Sequence, residues 1–187
     1  MANFNTAIEL TRKQFDACFP HATKANLDKF WPFVSDNLIK YEINAGPQAS
    51  RRIAAFLAQI AHESGSLRYT EEIASGDAYE CRKDLGNISP GDGKRYKGRG
   101  LIQVTGRSNY QEMGEIMKLD LVGNPDLLEL PENAFKSACI FWNSRGLNRI
   151  ADIDGFERIT KKINGGLNGY PDRLARWEET KKALNVK

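Results

Sequence analysis

Residues 47–63 place Ile53, Phe56, Leu57 and Ile60 at helical spacing, and Ala54, Ala55, Ala58 and Ala61 leave room for close neighbours. A stripe this apolar must be covered, and the segments available to cover it share its period. Thr11–Phe19 reads as a short helix with Thr11 as its cap. Residues 25–41 carry Leu27, Phe30, Trp31, Val34 and Leu38 on one face, with Pro32 either in the first turn or kinking the helix. Asn109–Lys118 follows the same rule. Residues 131–143 form a buried helix through Ala134, Phe135, Ala138, Phe141 and Trp142. Phe156–Ile163 and Arg173–Leu184 complete about seven helices with little strand, which predicts a mainly α fold.

Between the helices, residues 75–99 lose all periodicity. Gly76, Gly86, Pro90, Gly91 and Gly93 mark a functional loop or small lobe, and Leu101–Thr105 is a short apolar stretch after it. No repeat or linker divides the 187 residues, so a single catalytic domain over 1–187 is expected, without a separate wall-binding module. The net charge of +3 suits an anionic polymer such as a bacterial wall and falls far short of a nucleic-acid footprint.

Cys18, Cys81 and Cys139 form no C-x-x-C pair, which excludes a dense disulfide scaffold and a cysteine zinc site. Three small buried residues in a reducing compartment are expected, with one disulfide left open as an alternative. The amino-terminal MANFNTAIELTRKQF lacks the apolar core of a leader, and no later stretch approaches a membrane span. The chain is expected to be made as a soluble cytoplasmic protein with no stable membrane insertion.

Glu63 is the anomaly. It follows Phe56 by seven residues and Ile60 by three, so it projects from the apolar stripe. It also lies at the helix C-terminus, where the macrodipole disfavours negative charge. Burial and dipole would both raise its pKa, as a general acid near neutral pH requires. The bland alternative is a carboxylate neutralised by an arginine, with Arg68 close in sequence. Glycosidic cleavage needs a second carboxyl group. Glu71 and Glu72 stand beyond the Ser64-Gly65-Ser66 break, which could turn them back toward Glu63. Other chemistries fail on residue type. His62-Glu63 lacks the second histidine of a zinc protease helix because position 66 is Ser66, and His21 is the only other histidine. No metal site and no cofactor are expected.

Three separated segments carry a resemblance: Ala61-His62-Glu63-Ser64-Gly65, then Tyr96 through Gly106 (YKGRGLIQVTG), then Ile163-Asn164-Gly165-Gly166. Together they resemble glycoside hydrolase family 19, which includes plant-type chitinases and a branch of phage endolysins. The likeness runs from about Ile53 to Leu184, and Gly91-Asp92-Gly93 before Tyr96 suits the endolysin branch. The resemblance implies a lysozyme-like, bilobal helical fold with a cleft between lobes, and inverting hydrolysis of β-1,4-linked amino sugars. It makes Glu63 the general acid. It makes Glu72 the second carboxylate, with Glu71 as the fallback, and Thr105 the residue that holds the attacking water. Gln103, Asn109, Asn164 and Tyr96 match substrate-binding positions, and Arg176 falls near an arginine that orients the carboxylates. Inversion asks for carboxyl groups roughly 6.5–9.5 Å apart.

The plant pattern of paired cysteines is absent, and the loops that extend a long chitin cleft are short. These departures point to an endolysin that cuts peptidoglycan as an N-acetylmuramidase. It would act as a monomer on glycan strands, reaching the periplasm from the host cytoplasm once a holin opens the membrane. A secreted antibacterial effector with the same domain, a bacterial chitinase and a non-catalytic wall-binding component are the alternatives.

Overall fold

The computed structural model describes residues 7–153 and 155–186, so the first six residues of the amino-terminal segment discussed above lie outside it. Ten α-helices occur among the described residues: α1 (Arg12–Cys18), α2 (Lys24–Phe30), α3 (Val34–Lys40), α4 (Ala49–Glu63), α5 (Asp92–Arg95), α6 (Arg107–Met117), α7 (Pro131–Ser144), α8 (Leu147–Ala151), α9 (Phe156–Asn164) and α10 (Tyr170–Ala183). Among the described residues, extended pairing is limited to isolated bridges at Glu71–Arg99 and Arg99–Val104. The mainly α reading is therefore correct. The chain divides into two compact units, one made of residues up to Arg68 and from Cys139 onward, the other of Tyr69–Ala138.

Local chemistry accounts for the helix ends. Thr11 caps α1 through a reciprocal pair: its hydroxyl accepts the Gln14 amide, and the Gln14 side chain accepts the Thr11 amide. The predicted helix over 25–41 is broken. Pro32 enters a 3-10 turn, Trp31–Phe33, which separates α2 from α3 because proline lacks the amide an unbroken helix needs. The last helix begins at Tyr170 rather than Arg173, with Pro171 in its first turn, where a missing N–H costs nothing.

In the first unit α4 is the core element, with every residue from Ile53 to Ala61 buried. Phe56 meets Trp142 edge-on at 5.3 Å, and Phe156 stacks on Trp177 at 4.9 Å. Helix α10 buries Arg173, Trp177 and Thr180 on one stripe, and the Thr180 hydroxyl donates to the Ala54 carbonyl of α4. The alanines permit that approach. Cys18 and Cys139 are buried as expected, but Cys81 is exposed, and all three are free thiols. Cys81 sits in the loop region, where no apolar stripe exists to bury it.

The second unit is built on Tyr96, Leu101, Tyr110, Leu121, Leu128 and Phe135. Its long loop is ordered by buried carboxylates instead of a helical ladder. One oxygen of Asp92 accepts the amides of Ile88 and Ser89, and both oxygens pair with Arg107 at 2.6 and 3.0 Å. The Arg107 hydrogen bonds, helped by the two amides, hold the Asp92 pKa below its ordinary value. A depressed folded-state pKa stabilises the fold above the unfolded value of about 3.9, and the contribution disappears as pH falls through the folded value. Asp92→Asn should thus cost about 1–3 kcal/mol at pH 7. The gap in thermal unfolding between parent and variant should narrow as pH falls below about 3.9 and close once the depressed folded-state value is passed. An undiminished gap in acid would show that the pair is not the cause.

Candidate active site

Glu63 is the final residue of α4, as its sequence position implies, and its side chain is 18% exposed. The turn after it is unusual. Gly65, Ser66 and Leu67 are all left-handed, a conformation that strains the two residues with a Cβ. The Ser64 hydroxyl holds the turn by donating to the Ile60 carbonyl and accepting the Leu67 amide.

The arginine that reaches Glu63 is Arg173, at 2.7 Å. Arg176 instead donates to the Ser66 hydroxyl at 3.1 Å and pairs with Asp172 and Glu179, so it braces the turn beyond Glu63. Arg176 was expected near the carboxylates; of the two arginines, Arg173 shares the buried stripe of α10 with Trp177 and Thr180, and Arg176 does not.

A polar chain fixes Arg173, whose side chain is 3% exposed. One nitrogen donates to the Gln59 amide oxygen at 2.6 Å, another to the Asn168 carbonyl, and Gln59 in turn donates to Thr160. Beside Glu63, His62 Nδ1 lies 2.7 Å from Asp172. Hydrogen bonds from His62 and Arg176 and the nearby Arg176 charge outweigh burial, so the Asp172 carboxyl stays below its usual range. Asn164, at the end of α9, donates to the Asn168 carbonyl and remains partly open to solvent.

In the second unit the Gly98–Val104 segment folds back on itself. Arg99 and Val104 exchange both amide-carbonyl bonds, at 3.0 and 2.8 Å, and Gln103 takes a left-handed conformation in the turn between them. The Glu72 amide donates to the Gly98 carbonyl, while the Gly98 amide donates to Glu72 Oε2 at 3.0 Å. Glu72 Oε1 accepts the Tyr79 hydroxyl at 2.9 Å. Each oxygen therefore has one neutral donor and keeps a lone pair for a further partner. A side chain at position 98 would come within 2.6 Å of the Gln103 amide oxygen and 3.2 Å of Glu72 Oε2, so glycine is what lets these two groups flank one backbone position.

Glu71 differs from its neighbour. Lys97 lies 2.9 Å from it, and Arg99, which also pairs with Glu129 and Asp126, lies 3.6 Å away, so Glu71 faces cations. Adjacent residues in extended backbone face opposite ways, which gives the two glutamates separate surroundings. The geometry favours Glu72 over Glu71 as the carboxylate left free to act.

Thr105 donates its hydroxyl to the Gln103 carbonyl at 3.0 Å, which leaves its oxygen able to accept a proton donor such as water. Gln103 donates to the Gly100 carbonyl, and Asn109, which is exposed, donates to the Thr105 carbonyl. The expectation for Tyr96 is not met. It is 1% exposed, packs edge-on against Tyr110 and donates to the Val122 carbonyl. An aromatic ring in that position supports the loop from beneath and has no surface to offer a sugar.

Sequence reasoning missed Arg173, Tyr79 and Gln59. Arg173 and Gln59 had a readable signal, since each is a polar residue on the buried face of its helix. Tyr79 had none.

The fold is that of the helical glycoside hydrolases. A family model described as Chitinase class I matches residues 40–173, and the chain is a member of that family, glycoside hydrolase family 19. It is 42% identical over 134 residues to an endochitinase of Arabidopsis thaliana, an alignment that covers 67% of this chain and 43% of the relative. It is 31% identical over 195 aligned positions to a glycosyl hydrolase family 19 domain-containing protein of Haemophilus influenzae, covering 85% and 89%. The crystal structure of chitinase C from Streptomyces griseus superposes with a TM-score of 0.79 at 26% identity, over 95% of this chain and 77% of that one. The chain thus spans less than half the length of the plant relative.

Proposed function

We propose that this chain hydrolyses β-1,4 bonds between N-acetylated amino sugars in bacterial peptidoglycan, by inversion. Glu63 protonates the leaving oxygen, and Glu72 takes a proton from the attacking water, whose position Thr105 helps to set. The observation that carries this reading is the contrast between Glu71 and Glu72. One is paired with Lys97 and lies near Arg99, whereas the other is held by two neutral donors and left chemically available. Gln103, Asn109 and Asn164 supply amide groups for acetamido and hydroxyl recognition.

Peptidoglycan is favoured over a neutral glycan by the net charge of +3, which assists approach to an anionic wall. The reading extends to an endolysin's life cycle, with synthesis in the host cytoplasm and access to the wall through a holin. Chitin is the second reading, supported by the names of the plant and Streptomyces relatives.

Digestion of purified Gram-negative peptidoglycan, followed by reduction and mass spectrometry of the fragments, separates these cases. Fragments ending in reduced muramic acid are the expected result. Ends in reduced glucosamine would change the bond assigned. No release from peptidoglycan, together with cleavage of colloidal chitin, would replace this proposal with the second.

A further inference from the structure

We infer that Tyr79 is a positioning residue for Glu72, and that the aperiodic loop around it exists to aim its hydroxyl. This rests on the reading of Glu72 as the base. Tyr79 ends a 3-10 turn, Asp77–Tyr79, and its hydroxyl is 2.9 Å from Glu72 Oε1.

Everything around that turn limits its movement. The Tyr79 amide donates to the Gly76 carbonyl, and the buried Asn87 side chain donates to the Tyr79 carbonyl at 2.8 Å. Gly76 has φ +87°, and a Cβ there would stand 2.5 Å from the Gly93 carbonyl oxygen, so two stretches of loop backbone are in direct contact. Glu80, next to Tyr79, accepts the amides of Gly91 and Gly93 with its two oxygens, at 2.7 and 2.8 Å. The Ser75 hydroxyl oxygen accepts the Asp77 amide at the start of the turn. A loop without secondary structure is thereby fixed at both flanks of one phenol.

The consequence for Glu72 follows from the donor count. Gly98 holds Oε2 from the backbone, but with Oε1 free the carboxylate could rotate away from water. The Tyr79 hydroxyl fixes that rotation and directs the remaining lone pairs outward. In agreement, the phenol's own pKa is raised, first by burial and then by the hydrogen bond and charge of Glu72, with Arg82 opposing.

The test is Tyr79→Phe, which keeps the ring and removes one O–H. On the glycan that the parent degrades, kcat should fall about tenfold with KM within about twofold, since orientation and not sugar contact is lost. The acid limb of its pH–rate profile should move to higher pH. Added to Glu72→Gln, the substitution should remove nothing more. A parental kcat, a change in KM alone, or an equal further loss on the Glu72→Gln background would overturn the inference. A Glu72→Gln variant as active as the parent would sink the base assignment, and the positioning role with it. The contact is read without substrate by NMR titration of ring-labelled Tyr79. Its midpoint should drop in Glu72→Gln, and an unmoved midpoint would count against the bond.

Discussion

Glu63→Gln should lower turnover by about 10²–10⁴-fold, the range a positioned proton donor contributes, and leave the fold in place. The physical basis for the second half is Arg173. Its guanidinium lies 2.7 Å from Glu63 Oε1, and a glutamine carbonyl can still accept that N–H. The substitution thus removes the exchangeable proton while sparing most of the local bonding. Turnover on the degraded glycan and thermal unfolding should be measured on one preparation. A folded variant with parental turnover would take the proton-donor role away from Glu63.

Arg173→Met should be the most damaging change to stability in the first unit. It removes a cation that is 3% exposed and leaves the Gln59 amide oxygen and the Glu63 carboxylate without their donor. Breaking a buried pair in this way costs about 3–5 kcal/mol, and the low end applies because Glu63 is partly hydrated. For a chain of this size the loss corresponds to a melting temperature lower by roughly 6–12 °C. Arg173→Lys should fall between parent and Met, since a single ammonium keeps the charge without the fork of donors. A Met variant that melts with the parent would show that the chain from Glu63 to Thr160 is dispensable.

Much of this was legible in the sequence, and the reasons differ by element. Helix α4 was readable because its period and its terminal carboxylate are independent signals that agree. The resemblance pointed to Arg176, whereas the residue that reaches Glu63 is Arg173, one turn earlier on the same helix. Arg173, Trp177 and Thr180 stand four and three residues apart, so a charged residue on an apolar face was as visible there as at Glu63. Tyr96 is a different case. It lies inside the Tyr96–Gly106 segment, and membership of a motif does not distinguish a ring that touches ligand from one that supports the residues that do. The loop from Ser75 to Arg99 was legible as an aperiodic functional loop or small lobe, but what orders it was not. Its order comes from Glu80 and Asp92 bonding amides eleven to thirteen and three to four residues away, contacts with no period to detect.

The chain's division has a consequence for the order of its synthesis. Residues 69–138 are contiguous, so that unit is complete when the ribosome passes Ala138. The other unit stays unfinished, since α4 is made early while Arg173, Trp177 and Thr180 emerge more than a hundred residues later. Until then the nascent chain carries an uncovered apolar face and an unpaired Glu63. Glu63 gains its partner only once α10 has emerged.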